Sequence, residues 1–373
     1  MSKLQELIQK LCPNGVEYKK LEEVAIIKNG RDYKHLGKGN IPVYGSGGIM
    51  TYVDAYVYNK PTVLLPRKGS LGNLFYVDTP FWNVDTIFYT EVDIQQINVK
   101  YLYYLLAKEH IENLNKAGGV PSLTQSILNK IMLPVPPLEV QEEIVRILDN
   151  FTNLAAELQA ELQAELQARQ EQYEYYRNKL LTFNNVDRGG YASVTWMKMS
   201  EICEIKRGVR VTRNSLVTDG LFFVFQNSLT PLGNFDKYNR DGNKTFIICA
   251  GAAGEIGYSN KPFWAADDCF TIETDKVDNK YIYHFLLTKK TLLKSRVRKA
   301  SVPRISAVEI GKLVIPIPSW EEQLRIVAIL DKFEALTNDI SQGLPAEIAA
   351  VQEQYEYYRN KLLSFPRNEK ISA

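Results

Sequence analysis

Histidine and cysteine are both scarce in this chain. Its 373 residues include three histidines (His35, His110, His284) and four cysteines (Cys12, Cys203, Cys249, Cys269). The cysteines are scattered, with no CxxC spacing, which argues against a zinc site or a disulfide framework. No apolar run approaches the roughly 20 residues of a membrane span. The opening MSKLQELIQKL is amphipathic and lacks a signal-peptide core. A reducing cytoplasm is the expected setting. Net charge is also small, at +2, but it is unevenly spread. Residues 1–140 carry +2, residues 141–183 carry −4, residues 184–320 carry +7 and residues 321–373 carry −3. A polyanion would be drawn to the basic stretches and away from the acidic ones.

Catalytic patterns are missing as well. Methyl transfer to a base amino group would want an Asn/Asp-Pro-Pro-aromatic loop, and the only Pro-Pro lies in Val135-Pro136-Pro137-Leu138, an apolar strand exit. Gly45-Ser46-Gly47-Gly48 lacks the Rossmann spacing and reads as a turn. Glu204-Ile205-Lys206 is half of a nuclease-like pattern, but its counterpart Ile26-Ile27-Lys28 has no carboxylate. None of the histidines has an evident Ser or Cys partner, and each reads as a surface or interface residue. The expectation is a protein that is not an enzyme, with no catalytic residue, no metal and no cofactor.

What the chain does contain is a copy of itself. Gln170–Leu181 reads QEQYEYYRNKLL, and the same twelve letters recur at Gln352–Leu363, 182 positions later. The match extends outward at that offset. Pro134, Pro136, Glu139, Gln141, Ile144, Val145, Ile147, Leu148, Asp149 and Phe151 recur as Pro316, Pro318, Glu321, Gln323, Ile326, Val327, Ile329, Leu330, Asp331 and Phe333. Phe81, Trp82 and Asp85 recur as Phe263, Trp264 and Asp267, and the tryptophans read as repeated core packing. A tandem duplication can fold with an internal two-fold axis and present two similar surfaces. That suits a two-part ligand.

Each half reads as a mixed α/β region followed by a long helix. Short β-rich runs occur at Val24–Ile27, Thr62–Leu65, Thr86–Tyr89 and Ile131–Val135, echoed at Ile202–Ile205, Phe246–Cys249, Phe270–Ile272 and Leu313–Ile317. A helix over Val99–Leu114 has its counterpart near Asn279–Lys294. After Pro136-Pro137, the apolar residues Val140, Ile144, Ile147, Phe151, Leu154 and Leu158 step by four and three, the spacing of a coiled-coil seam. An AELQ array follows at Ala156–Gln167, carrying Leu158, Leu162 and Leu166, and Tyr173 and Tyr176 resume the apolar face. The spacing predicts one helix of ~45 residues, about 65 Å long. In the second copy, Ser341-Gln342-Gly343-Leu344-Pro345 should end one helix and start another. The repeated seam favours an antiparallel pair of the two long helices over packing of each on its own domain.

Basic clusters sit at matching places. Lys28, Arg31, Lys34, His35 and Lys38 follow the first strand, and Lys206, Arg207, Arg210 and Arg213 take the equivalent place in the second half. Arg67-Lys68-Gly69-Ser70 is a basic turn, and Arg296, Arg298, Lys299 and Arg304 form a further run. One such cluster would read as a solvated face; matched clusters in a duplicated chain favour nucleic acid. Arginine can bridge guanine O6/N7, and Asn or Gln can bridge adenine N6/N7, so Arg31, Arg67, Arg210, Gln226 and Asn227 are candidate base readers. Lysines suit phosphate. The DNA-facing set is therefore Arg31, Lys34, Tyr44, Ser46, Arg67 and Lys68 in the first half, and Arg207, Arg210, Arg213, Gln226, Asn227, Arg298 and Lys299 in the second. Leu158, Leu162, Leu166, Tyr173, Tyr176, Tyr355 and Tyr358 form the spacer and partner-docking set.

Taken together, the PxPPLEVQEEIVRILD stretch at Pro134–Asp149, its echo at Pro316–Asp331, the duplicated QEQYEYYRNKLL and the AELQ array resemble the specificity subunit of type I restriction–modification enzymes over nearly the whole length. The resemblance implies an α+β chain of two target-recognition domains held apart by two long helices in an antiparallel coiled coil. Residues 1–138 would be the first recognition domain, 139–183 the first spacer helix, 184–320 the second domain, and 321–373 the second spacer helix and tail. It further implies a non-catalytic subunit that reads a split double-stranded DNA target. Two modification (methyltransferase) subunits would dock on the coil, and restriction subunits would join through them. Reading loops vary within the family, so no single base contact carries over. The array occurs in the first spacer helix only, so the coil is not symmetric in detail. A stand-alone bipartite DNA-binding protein such as a repressor, and a coiled-coil scaffold without nucleic acid, are the alternatives. Copurification with a methyltransferase separates the first reading from both.

Overall fold

The computed structural model describes residues 2–115, 122–183, 194–338 and 343–368. It divides into two compact units, residues 1–160 with 349–373, and residues 161–348. Each unit holds one mixed α/β domain, and the two domains share a topology.

In the first unit the strands are β1 (Glu17–Lys20), β2 (Ala25–Lys28), β3 (Lys38–Gly45), β4 (Gly48–Val53), β5 (Thr62–Pro66), β6 (Phe75–Val77), β7 (Trp82–Asn83), β8 (Ile87–Val92) and β9 (Met132–Val135). They form an antiparallel sheet β2-β8-β5-β6, a smaller sheet β4-β3-β7 and a pair β1-β9. β7 runs parallel to β3. In the second unit the strands are β10 (Thr195–Lys198), β11 (Glu204–Arg207), β12 (Phe222–Phe225), β13 (Gly233–Phe235), β14 (Lys244–Ile248), β15 (Ile256–Ser259), β16 (Trp264–Ala265), β17 (Cys269–Glu273) and β18 (Val314–Ile317). They repeat the plan as β11-β17-β14-β15, β13-β12-β16 and β10-β18. β5 is buried at all five positions, and β14 at four of five. Such continuous apolar runs mark strands covered on both faces.

Several expected elements shift, and the run expected as a strand at Ile202–Ile205 divides between a helical turn, Met199–Ile202, and β11, Glu204–Arg207. Leu21–Val24 is a single helical turn, and the strand begins only at Ala25. The helix expected over Val99–Leu114 stops at Lys108, because His110 adopts a left-handed backbone (φ 48°), and a 3₁₀ turn Ile111–Leu114 follows. Its counterpart likewise divides into Asn279–Thr288 and Lys290–Ser295.

The repeated sequence motif has a structural reason. Asn98 caps the helix Val99–Lys108 by accepting from the N–H groups of Lys100 and Tyr101. Its own N–H donates to Gln141 Oε1 at 2.7 Å, while Gln141 Nε2 donates to the Pro136 carbonyl at 2.7 Å. Tyr101 donates its hydroxyl to the Pro134 carbonyl. In the second unit Asp278 N–H donates to Gln323 Oε1 at 2.9 Å, Gln323 Nε2 to the Pro318 carbonyl at 3.0 Å, and the Tyr281 hydroxyl to the Pro316 carbonyl at 2.8 Å. Lys100 pairs with Asp149 at 2.7 Å, and Lys280 with Asp331 at 2.9 Å. The P-x-P…Q…D spacing therefore fastens each domain helix to the start of the long helix that follows it.

The long helices are Leu138–Thr182, Trp320–Asn338 and Leu344–Leu362. The first runs unbroken for 45 residues. The third starts with Pro345 in its first turn, where a missing N–H costs little. Ser341 and Gln342 of the expected break, like residues 184–193 at the expected second domain boundary, lie outside the described residues. In the first unit Phe151 meets Tyr358, Thr152 meets Tyr355, and Gln159 meets Gln352. Rising numbers on one helix meet falling numbers on the other, so the pair is antiparallel. The expected seam is only partly a helix–helix contact. Val140 and Ile144 are fully buried in the core of their own domain, beside Tyr101 and Leu102. Leu154 is 66% exposed. The same 3/4 spacing thus serves domain packing first and helix pairing further along.

His284 also departs from the surface or interface position expected for it. It is fully buried, with Nε2 3.0 Å from Asp331 and Nδ1 3.2 Å from the Tyr173 hydroxyl. Tyr104 takes its place in the first unit, donating to Asp149 at 2.7 Å. Among the described residues, no helix is long and apolar enough to cross a membrane.

Candidate nucleic-acid interface

At one end of the first domain, several loops are tied to Thr86. The β3–β4 turn hangs on Ser46, whose N–H donates to Thr86 Oγ1 at 3.3 Å. Asn73 Nδ2 donates to the Ser46 carbonyl at 3.1 Å. The N–H groups of Arg67 and Lys68 both donate to the Thr86 carbonyl, at 2.9 and 3.2 Å. Lys68 forms an isolated antiparallel bridge with Ser122. Gly47 and Gly48 have open space where a side chain would be. Gly48 sits at φ 109°, which a residue with a Cβ rarely adopts.

The structure therefore brings Ser46, Arg67 and Lys68 together. The Arg67 guanidinium lies 5.7 Å from the Phe88 ring centre, and Lys68 is exposed. Arg31 sits one strand away. Its N–H donates to the Asn83 carbonyl, and its carbonyl accepts from Trp82 Nε1. Its side chain is exposed. Lys34 is exposed in the following turn, where its N–H donates to Asp32 Oδ1 at 3.3 Å. Tyr44 is half-buried, its ring against Phe75 and Phe81. Burial, with smaller contributions from Tyr52 and Asp78, raises its phenol above the ordinary range.

The second domain repeats the frame with other residues. The Asp268 carbonyl, at the place of Thr86, accepts from Cys249 N–H at 2.8 Å. The Asn227 carbonyl accepts from Ala252 N–H at 2.9 Å, tying the β12–β13 loop to the β14–β15 loop. Ala250 bridges Arg304, as Lys68 bridges Ser122. Arg298 and Arg304 exchange both backbone hydrogen bonds, 2.8 and 3.2 Å, and Lys299 is exposed in the turn between them. Arg207 Nε donates to the Asp267 carbonyl at 2.7 Å. Asn227, Arg298, Lys299 and Arg207 thus belong to one group of linked loops, with half-buried Gln226 beside Asn227. Arg210 and Arg213 are exposed in the segment after β11. The structural partner of Arg31 there is Val209, whose carbonyl accepts from Trp264 Nε1 at 2.8 Å.

One carboxylate of the β14–β15 loop, Glu255, is paired with two lysines. Burial resists ionisation of Glu255, but Lys294 and Lys290, at 2.7 and 2.9 Å, hold it below the usual carboxylate range. Reasoning from sequence missed Asn73 and Thr86, which order the first group, and Asp267 and Asp268, which order the second. Arg304 was only one member of a basic run. The signal for Thr86, Asp268 and Arg304 was their position 182 residues from a counterpart.

The docking set is spread along the helices. Tyr173 is buried. Tyr176 stacks on Phe333, and Tyr358 on Phe151. The Tyr355 hydroxyl lies 3.0 Å from Thr152 Oγ1. Leu158 is 44% exposed, and Leu162 and Leu166 are half-buried. The array leucines belong to none of the described buried clusters.

A family model described as the type I restriction modification DNA specificity domain matches residues 13–168 and again residues 193–350. A Haemophilus influenzae protein named as a type I restriction enzyme specificity subunit is 32% identical, over 98% of this chain and 100% of its own length. The specificity subunit of the Escherichia coli EcoR124I/EcoR124II enzymes is 30% identical, over 100% and 99%. Among solved structures, one chain from a study of type I restriction–modification complex assembly superposes with a TM-score of 0.70 at 16% identity, covering 95% of this chain and 98% of that one. The crystal structure of the Mycoplasma genitalium type I specificity subunit gives 0.55 at 17%, covering 94% and 96%. The duplicated domains each match the family model and the relatives align end to end, so this chain belongs to the family of type I restriction–modification specificity subunits.

Proposed function

We propose that this chain is the DNA-reading subunit of a type I restriction–modification assembly, that each domain reads one half of a split target, and that the long helices space the halves and dock two methyltransferase subunits. Restriction subunits join through that core. The observation that carries the reading is one loop frame built twice, ordered around Thr86 and Asp268, with different side chains on each copy. A shared frame suits a shared ligand. Different side chains suit two different sequences, because base edges are read by local contacts. The chain supplies no catalytic group; chemistry belongs to the methyltransferase, which the helices position. Work on chromosomal DNA puts it in the cytoplasm.

The test is copurification with a methyltransferase encoded beside it, followed by weighing the complex and mapping methylated sites. Two methyltransferase subunits per chain and a methylated split sequence are expected. Methylation unchanged when this chain is omitted overturns the reading.

A further inference from the structure

The bridge at the edge of each candidate interface carries a long cation, but on opposite strands. In the first domain the pair is Lys68 with Ser122; in the second it is Ala250 with Arg304. Both pairs sit at the same place in the repeat, since 68 and 122 become 250 and 304 at the offset of 182. The flanking hydrogen bonds also match. Leu123 N–H donates to the Arg67 carbonyl at 2.8 Å, and Ile305 N–H to the Cys249 carbonyl at 2.9 Å. Gly251 N–H donates to the Pro303 carbonyl at 3.2 Å, which makes Ala250 and Arg304 a non-hydrogen-bonded pair. Residues so paired lie about 4.5 Å apart at Cα and project on the same face. Lys68 is exposed and makes no ion pair among the described residues. The Arg304 side chain is 56% exposed, with one carboxylate, Asp268, no closer than 3.9 Å.

Resting on the DNA-reading function proposed above, we infer that Lys68 and Arg304 make the same contact, each to one backbone phosphate of its own half-site. A cation that changes strand and type between copies can still reach one point, because both stems are longer than the gap between their Cα atoms. A base edge fits this exchange poorly, because the two cations arrive from different strands and a planar guanidinium fork presents its donors in a different geometry from a compact ammonium. A phosphate accepts a point charge from either side and carries no sequence information. The contact therefore positions each domain on the duplex, and recognition is left to the neighbouring loops. Arg298, whose backbone pairs with Arg304, adds a second positive charge beside the contact in the second domain.

The experiment moves the charge. The full chain with its copurified methyltransferase is titrated with a duplex carrying the mapped target and with a scrambled duplex, from low to high salt. Removing one phosphate contact should flatten the slope of log affinity against log salt by about 0.9. At 0.1 M salt this corresponds to an affinity loss of roughly eightfold. K68A and R304S should each show this loss on both duplexes, with the ratio between duplexes unchanged. The double variant K68A/S122R, which gives the first domain the arrangement of the second, should recover the parent slope. Unchanged slopes in both single variants, failure of the double variant to recover, or a changed preference between duplexes overturns the inference. A parent complex that binds both duplexes alike overturns the DNA-reading function itself, a different outcome from parent specificity with unmoved slopes.

Discussion

Phe151 and Tyr358 stack with ring centres 5.9 Å apart and planes 29° from parallel. Their counterparts at the 182-residue offset, Phe333 and Tyr176, stack at 5.6 Å and 23°. The duplicated QEQYEYYRNKLL thus delivers one ring to the same task in each unit. It meets a Phe that ends the repeated I-V-x-I-L-D-x-F run. Such a pair adds about 0.5–1.5 kcal/mol beyond the area it buries. Tyr176→Ala and Tyr358→Ala should each lower stability by roughly 1–2 kcal/mol, whereas Tyr176→Phe should hold within about 0.5 kcal/mol. Urea unfolding of the full chain measures this. An alanine variant as stable as the parent would show that the stack is incidental.

His284 tests a larger commitment. It is fully buried between Asp331 and Tyr173, so His284→Ala loses two hydrogen bonds and opens a cavity. The expected cost is about 2–4 kcal/mol. Because Lys280 still pairs with Asp331, the carboxylate is not left alone. Differential scanning calorimetry should show the lower transition, and a shift of less than about 2 °C would contradict the role.

Acid should weaken the attachment of the N-terminal helix, Lys3–Leu11, to the long helix Leu138–Thr182. Glu143 receives hydrogen bonds from Arg146 at 2.7 and 3.0 Å and from Lys3 at 3.0 Å. Arg146 chiefly, opposed by burial and aided by Lys3, pulls its carboxyl from 4.5 down to about 2. A depressed carboxylate contributes stability above its unfolded pKa and loses it as pH falls through the folded value. The loss therefore falls between about pH 4.5 and pH 2. Lys3 and Arg146 are 71% and 59% exposed, so solvent screening trims the effect to roughly 1 kcal/mol. Glu143→Gln should be less stable at pH 7 and show a flatter acid limb. Parallel curves for the two proteins would refute the assignment.

Much of this architecture was legible because duplication wrote it twice. The 45-residue helix and the repeated P-x-P…Q…D motif announced themselves by period or offset, and Gly343 followed by Pro345 pointed to the helix that starts at Leu344. The helix stop at His110 did not, since a left-handed residue there leaves no compositional mark beyond its type. Val140 and Ile144 read as a helix–helix seam but pack into their own domain. Periodicity says which face is apolar and nothing about what covers it. The candidate interface was legible as charge. Its ordering residues, Thr86 and Asn73, are ordinary polar residues whose role comes from contacts across 27 to 40 positions.

The AELQ array offers a ruler. Ala156–Gln167 lies wholly inside the unbroken helix. Leu158 is 44% exposed, and Leu162 and Leu166 are half-buried, so deleting one repeat strands no core residue. Four residues make ~6 Å of helix and a net rotation of ~40°. One base pair advances DNA by ~3.4 Å and turns it by roughly 34–36°. Rotation therefore nearly matches one base pair, while length overshoots slightly. A few ångströms can be absorbed by bending, but a wrong rotation turns a recognition domain off its groove. Deleting Ala160–Gln163 should shorten the non-specific spacer by one base pair, and duplicating it should lengthen the spacer by one, with both half-sites unchanged. Mapping methylated sites for deletion, parent and insertion proteins checks this. If all three active enzymes keep the same spacer, the array is filler from repeat slippage in a tolerant helix and sets no distance.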